Sequence, residues 1–324
     1  MRPAISRAHR TARASVVGTL LAAACSSDGA VGPVPDPVPG PGDFTRVLAF
    51  DGRTRSYLLH VPPGIAPNMS RPLVLAFHGV PSGPQEIRSV TGFDALADLE
   101  GFVVAYPQAI DDWWTGCANC NSRAFLLDID DVGFVRALIR QLEADAGIDP
   151  RRVYAAGFSN GALFTQRLAC DAADRIAAFA IVAATALEPD AVPPCAPGMR
   201  PPIVFFHGSL DPSFPPGGRI FGEPPTAVST LSIRETLAAW VELNGCQPAT
   251  PARTDLPDVE PDGTTAARET WSGCGRGDLI FYEITGGGHT WPGSTVDFSD
   301  FLGPESDDVV ASEAIVDFFL SHSL

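Results

Sequence analysis

Hydrophobic and polar positions change period along the chain, and the changes mark out alternating strands and helices. Arg46–Phe50 and Ser56–Val61 are strand-like and flank Asp51-Gly52, a dipeptide suited to a tight hairpin turn. Five short runs are apolar without alternation: Leu73–Phe77, Phe102–Ala105, Val153–Ala156, Ile203–Phe206 and Leu279–Ile284. Continuous apolar runs fit strands covered on both faces, as in a parallel sheet under helices.

Helical spacing lies between these runs. Val135, Leu138, Ile139 and Leu142 recur at i, i+3, i+4 and i+7, behind Asp128, Asp130 and Asp131, which suit an N-cap. Ile233, Leu237, Trp240 and Val241 predict a later helix, and Val309, Val316, Phe319 and Leu320 a C-terminal one. Ala162–Ala169 reads as a buried helix. An opening hairpin followed by β-α alternation predicts one α/β domain over residues 44–324, doubly wound, with a mostly parallel sheet and helices on both faces.

The first 43 residues have another character. Arg2, Arg7, Arg10 and Arg13 precede an apolar run from Ser15 to Ala24. That run is far below the about 20 residues needed to span a bilayer, so residues 1–25 read as an export signal. Leu21-Ala22-Ala23-Ala24-Cys25 resembles a lipobox with Cys25 as the lipidated residue, although Ala22 stands where Leu is usual. An ordinary cleavage site beside an incidental Cys is the alternative. Residues 26–43, rich in Pro and Gly, read as a tether that cannot bury enough surface to fold. The protein is therefore expected to be exported, to the cell envelope or beyond it, and to meet a membrane only through a lipid anchor.

The formal net charge is −16, and every basic residue is Arg. An acidic chain repels phosphate backbones, so nucleic acid is excluded as an expected partner. Beyond Cys25 there are six cysteines, at 117, 120, 170, 195, 246 and 274. Cys117 and Cys120 form C-x-x-C with no second such pair to complete a metal site, so disulfides are expected in an oxidising compartment. Spacing leaves their pairing open.

Candidate chemistry centres on Gly157-Phe158-Ser159-Asn160-Gly161, between a predicted strand and a predicted helix. In that context G-x-S-x-G is a sharp turn that lifts a serine hydroxyl clear of the sheet, with the N–H of Asn160 facing developing negative charge. A serine needs a base and an orienting acid, in the order Ser, acid, His for this fold. His289, in a Gly-rich loop after the last predicted strand, is the candidate base; His322, near the C-terminus, is a weaker one. Asp211, directly after Ile203–Phe206, is the candidate acid, with Asp255, Asp258 and Asp262 as alternatives in a stretch that reads as a surface insertion. His78-Gly79-Val80-Pro81 follows an early strand and offers the N–H of Val80 as a second oxyanion donor, while His78 reads as structural. Trp113, Trp114 and Trp291 are candidates for lining a substrate cleft, against the plainer reading of loop packing.

The blocks HGV, GFSNGA, HGSLDPSFPPGG and GGGHTWPG together resemble the secreted poly(3-hydroxybutyrate) depolymerase and feruloyl esterase group, related to carbohydrate esterase family 1. The resemblance covers about residues 44–324. It implies an α/β-hydrolase fold, a triad of Ser159, Asp211 and His289, and an ester substrate carried on a small molecule or a polymer; the acyl-enzyme route needs no metal or organic cofactor, and a monomer is expected. It also implies the pairings Cys117–Cys120, Cys170–Cys195 and Cys246–Cys274. Three positions depart from the group's pattern: Val80 after HG, Ala162 after SNG, and Ser209-Leu210 before the acid. None removes a catalytic group. Ferulate esters of plant polysaccharide, hydroxyalkanoate polyesters and acetyl esters all remain open as substrates, and a serine peptidase, an acyltransferase or a binding module with an inactive triad as rival functions.

Overall fold

The computed structural model describes residues 40–64, 70–116, 127–188, 195, 200–222, 227–248 and 250–324. The expected export signal, Cys25, nearly all of the expected tether, Cys117 and Cys120 lie outside them.

Among the described residues twelve strands form in chain order. These are β1 (Gly42–Phe50), β2 (Arg53–Val61), β3 (Arg71–Phe77), β4 (Val103–Pro107), β5 (Ile148–Phe158) and β6 (Ala178–Val182), followed by β7 (Ile203–Gly208), β8 (Ile220–Phe221), β9 (Val228–Ser229), β10 (Ala252–Asp255), β11 (Thr265–Trp271) and β12 (Leu279–Thr285). Ten of them make one sheet in the order β1-β2-β4-β3-β5-β6-β7-β12-β11-β10, and β8 pairs with β9. The six strands from β4 to β12 in that order run parallel. Antiparallel strands close both edges.

The opening hairpin forms with Phe50 opposite Arg53, and Asp51 and Gly52 take φ values of 49° and 69°. Two consecutive positive φ values match the right-handed twist of the flanking strands, which is why Asp-Gly serves there. Strand β1 pairs with β2 from Gly42 onward, opposite Val61.

Helices α1 (Pro84–Thr91) and α2 (Phe93–Glu100) pack on one face of the sheet together with the C-terminal helix. Helices α3 (Asp131–Asp145), α4 (Asn160–Asp171) and α5 (Ile233–Asn244) pack on the other. A short turn, α6 (Ser299–Leu302), precedes the C-terminal helix α7 (Ala311–Leu320). The helix over Val135–Leu142 is capped by Asp130, whose side chain accepts from the N–H of Gly133 at 2.7 Å. Ser232 and Glu235 form a reciprocal capping box at the start of α5. Among the described residues no helix is long and apolar enough to cross a membrane. Buried apolar side chains fill both sides of the sheet, and the parallel strands β3, β4, β6 and β7 are buried along their whole length. The result is a single α/β-hydrolase domain, mostly parallel at its centre and flanked by helices on both faces.

Strands β6, β8, β9, β10 and β11 and helices α1, α2 and α6 are additions to the sequence-based expectation. The stretch read as a surface insertion holds β10, an edge strand whose residues are all exposed.

Candidate active site

The C-terminal ends of parallel strands collect the candidate residues, as open α/β sheets generally do. Ser159 follows β5, Asp211 follows β7 and His289 follows β12, and β7 and β12 are neighbours.

Ser159 sits between strand and helix at φ 56° and ψ −120°, a strained conformation for a residue with a side chain. Its neighbours explain how the turn closes. A Cβ on Gly157 would collide with the carbonyl of Gly161 and the hydroxyl of Thr165, and one on Gly161 would collide with the carbonyl of Phe77. Only glycine fits either place. The N–H of Ser159 donates to Val182 of β6 at 3.1 Å, while its carbonyl accepts from Ala162 and Leu163 and starts α4. Asn160 therefore lies in the first helical turn, where N–H groups have no intrahelical partner.

His289 Nδ1 lies 2.8 Å from Asp211 Oδ2, with both side chains buried. The other oxygen of Asp211 accepts from the N–H groups of Ser213 and Phe214 at 2.8 and 2.7 Å. The two loops are also laced together. Leu210 N–H donates to Gly287, Ser209 N–H to Ile284, and Gly286 N–H to the hydroxyl of Ser209, each at 2.8 Å. Behind His289, its own N–H donates to Leu302 at 2.6 Å. The imidazole is flanked by Phe214, ring centroids 5.9 Å apart, and by Phe158 at 5.0 Å. Phe158 immediately precedes Ser159, so this contact brings the imidazole to the serine's turn.

Two further histidines act as struts. His78 Nδ1 donates to Gly79 at 2.7 Å and its Nε2 accepts from Ala109 N–H at 3.2 Å. Burial holds its pKa below the usual histidine value. The His78–Pro81 loop meets the serine directly, since a Cβ on Gly79 would stand 3.1 Å from that of Ser159. Val80 is half-buried there. His207, also depressed by burial, donates from Nε2 to the carbonyl of Phe214 at 2.8 Å and so braces the Asp211 loop.

The three tryptophans separate. Trp114 is 1% exposed and stacks on Phe164 at 5.0 Å with the edge of Phe77 against it. Trp291 is 2% exposed, packs against Phe93 and Phe158, and donates its indole N–H to Ser312 at 2.9 Å. Both are core residues, which corrects the expectation that they line a cleft: a ring enclosed by protein has no face left for substrate. Trp113 is 39% exposed. The peptide N–H that follows it, on Trp114, donates to Asn160 Oδ1 at 2.8 Å, which places Trp113 beside the serine's turn.

The remaining candidates lie elsewhere. His322 Nδ1 bonds the carbonyl of Phe318 at 2.7 Å. Asp255 and Asp258 are exposed, and Asp262 caps its own loop through Thr264. Disulfides join Cys170 to Cys195 and Cys246 to Cys274.

Sequence reasoning missed Phe158 and Phe214 as the walls around His289, and it took Asp131 as part of a cap. Asp131 is instead fully buried, paired with Arg55 at 2.7 Å. A signal existed. Asp131 stands at i relative to Val135, Leu138 and Leu142 on the apolar stripe of α3, where a carboxylate requires a partner.

Comparison with known proteins fits this architecture. The family profile described as Esterase PHB depolymerase matches residues 55–191. NocK of Nocardia uniformis subsp. tsuyamanensis, a protein named as an esterase, is 33% identical over 299 residues, covering 88% of this chain and 84% of NocK. The chain belongs to the α/β-hydrolase esterases of the feruloyl esterase and PHB depolymerase group. This esterase is also 27% identical over 246 residues to Feruloyl esterase B of Piromyces equi, covering 72% of the chain and 42% of that relative. It thus spans less than half of the relative's length. Acetyl xylan esterase from Aspergillus awamori superposes on the esterase with a TM-score of 0.53 at 16% identity, covering 76% of this chain and 91% of the other, a likeness of fold. As a member of the group, the protein is a carboxylic-ester hydrolase.

Proposed function

We propose that the esterase works through an acyl-enzyme, with Ser159 as nucleophile, His289 as general base and Asp211 as the acid that orients it. The Asp211–His289 hydrogen bond beside the strained turn of Ser159 carries this reading. An ionised carboxylate only accepts, so the bonded Nδ1 holds the imidazole proton and Nε2 is left as the basic nitrogen. Ser159 Oγ attacks the ester carbonyl as its proton passes to Nε2. The N–H groups of Asn160 and Val80 stabilise the oxyanion, and His289 returns the proton to the leaving alcohol. Water repeats the sequence to release the acid. No step calls for a metal or an organic cofactor.

The substrate we propose is a feruloyl-type ester of plant polysaccharide. Its support is the exposed ring of Trp113 beside the serine's turn, with the likeness to Feruloyl esterase B. Hydroxyalkanoate polyester is the second reading, favoured by the family profile over residues 55–191. Export, with a lipid on Cys25 and residues 26–43 as a spacer, belongs to the same proposal and rests on the sequence of that segment. Parallel assays with methyl ferulate, hydroxybutyrate oligomers and an acetylated xylan decide the substrate. Turnover of all three by Ser159→Ala at the wild-type rate would sink the mechanism, and intact mass of the membrane fraction tests the lipid.

A further inference from the structure

One buried ion pair stands apart from the proposed reaction and close to Ser159's helix. Arg55 on β2 and Asp131 at the start of α3 are 2% and 0% exposed, and Arg55 Nη2 meets Asp131 Oδ1 at 2.7 Å. Arg55 also donates to the carbonyl of Gln108 at 3.3 Å, and its guanidinium lies 3.9 Å from the ring centroid of Phe134. Apolar side chains of the same volume often serve stability as well as a buried ion pair does. What the pair touches is therefore the informative part.

Asp131 Oδ2 accepts from both the N–H and the hydroxyl of Thr115, each at 2.9 Å. The carbonyl of Thr115 accepts from Arg167 Nη1 of α4 at 3.1 Å. Gly116 lies so close to α4 that a Cβ would stand 2.7 Å from the backbone nitrogen of Phe164. Trp114 stacks on Phe164, and its N–H donates to Asn160 Oδ1 at 2.8 Å. Trp114–Gly116 is thus a strap across the first turns of α4, with Asp131 holding one end and Asn160 held by the other. A free Asn side chain in a first helical turn competes for local backbone N–H groups. Here Trp114 occupies its oxygen and leaves the Asn160 N–H to face the substrate.

We propose that Asp131, backed by Arg55, is a positioning residue for the oxyanion hole, acting through Thr115 and the Trp114–Asn160 hydrogen bond. The inference rests on the reading of Asn160 as an oxyanion donor. The charge matters because bonds to a carboxylate are about twice as strong as neutral ones, so an amide in the same place holds Thr115 more loosely.

The test uses the full chain carrying Asp131→Asn, Thr115→Val or Thr115→Ser, with Ser159→Ala as a control. Kinetics on an activated aryl acetate give kcat and KM. Inhibition by an arylboronic acid, which forms a tetrahedral adduct on serine, gives a constant independent of how much enzyme is folded. Asp131→Asn and Thr115→Val should each lower kcat about tenfold and weaken the boronic acid by about the same factor, with KM within about twofold. Thr115→Ser, which keeps the hydroxyl, should restore both. An unchanged inhibition constant in either Asp131→Asn or Thr115→Val overturns the proposal, even where kcat falls. Should Asp131→Asn fail to fold, Thr115→Val decides. Activity in Ser159→Ala would remove the underlying mechanism, whereas an inactive Ser159→Ala beside wild-type inhibition in the other variants removes only the positioning role.

Discussion

Asp211 and His289 meet through one 2.8 Å hydrogen bond, while the second oxygen of the same carboxylate is held by two backbone N–H groups. The acid is thereby locked in one rotamer, and its free oxygen faces Nδ1. Asp211→Asn keeps an oxygen for Ser213 and Phe214 but turns an NH2 group toward His289. Nδ1 must then accept, and the proton moves to Nε2, where it blocks the serine. Ester turnover should fall by about a thousandfold or more in Ser159→Ala and His289→Ala, and somewhat less in Asp211→Asn. Steady-state rates on a chromogenic ester check this ordering, and near-normal turnover in folded Ser159→Ala would contradict it.

Features set by local sterics were legible in the sequence. The hairpin at Asp51-Gly52 and the glycines around Ser159 are demanded by backbone geometry within a few residues, so their motifs carry the structure with them. The uninterrupted apolar runs gave away the parallel centre of the sheet for the same reason. Edge strand β10 was hidden because its four residues, Ala, Arg, Thr and Asp, are all exposed and have no buried face to write a period. Trp114 and Trp291 misled because they lie in loops, and whether a loop ring is surface or core depends on where the loop folds back. Nothing local reveals that Phe164 or Phe93 waits there.

A second illegible feature is the cluster around His60, whose members come from five elements, β1, β2, β4, α1 and α2, that only the fold brings together. His60 Nδ1 meets Asp43 at 2.7 Å and Nε2 meets Asp98 at 3.0 Å, with Asp94 at 3.8 Å. Arg88 bridges Asp43 and Asp94, both at 2.5 Å, and the Tyr106 hydroxyl donates to Asp94 at 2.7 Å. Burial pulls the His60 pKa down, but the hydrogen bonds it donates to Asp43 and Asp98 and the charges of Asp94 and Asp98 outweigh it and raise it above 6.5. A raised histidine stabilises the fold fully below its unfolded value and loses that contribution as pH rises through the folded one. The thermal midpoint should therefore decline above about pH 6.5, and His60→Gln should flatten this decline. Parallel pH profiles for wild type and variant would refute the assignment.

Glu305 acts in a lower window. Burial, with Asp307 and Asp297 nearby, raises its pKa from 4.5 to about 7. Its neighbours hold the His289 loop: the carbonyl of Pro304 accepts from Gly288 at 2.7 Å, and that of Ser306 from Gly293 at 2.8 Å. A carboxyl with a raised pKa favours the fold while protonated, so its contribution is present below pH 4.5 and lost as pH rises through about 7. Glu305→Gln should unfold at a higher temperature than wild type at about pH 8 and at the same temperature at about pH 4. Calorimetry at the two pH values measures this, and an unchanged midpoint at the higher pH rules it out.

Selectivity should reside in Trp113, since it keeps an exposed face while Trp114 and Trp291 are enclosed. An aromatic acyl group stacked on that face gains about 0.5–1.5 kcal/mol beyond its area burial, or about tenfold in rate if the contact is made in the transition state. Trp113→Ala should therefore lower kcat/KM on methyl ferulate about tenfold and leave an acetyl ester within about twofold. Trp291→Ala offers the contrast. It empties a core position and orphans the Ser312 hydrogen bond, so it should destabilise the fold by about 3–5 kcal/mol with little change in the ferulate-to-acetate ratio. The ratio is the deciding quantity, because loss of folded enzyme lowers both rates equally. Hydroxybutyrate oligomers complete the comparison. If Trp113→Ala leaves the ferulate-to-acetate ratio untouched, or wild type cleaves the oligomers faster than methyl ferulate, the aromatic acyl assignment fails and the polyester reading replaces it.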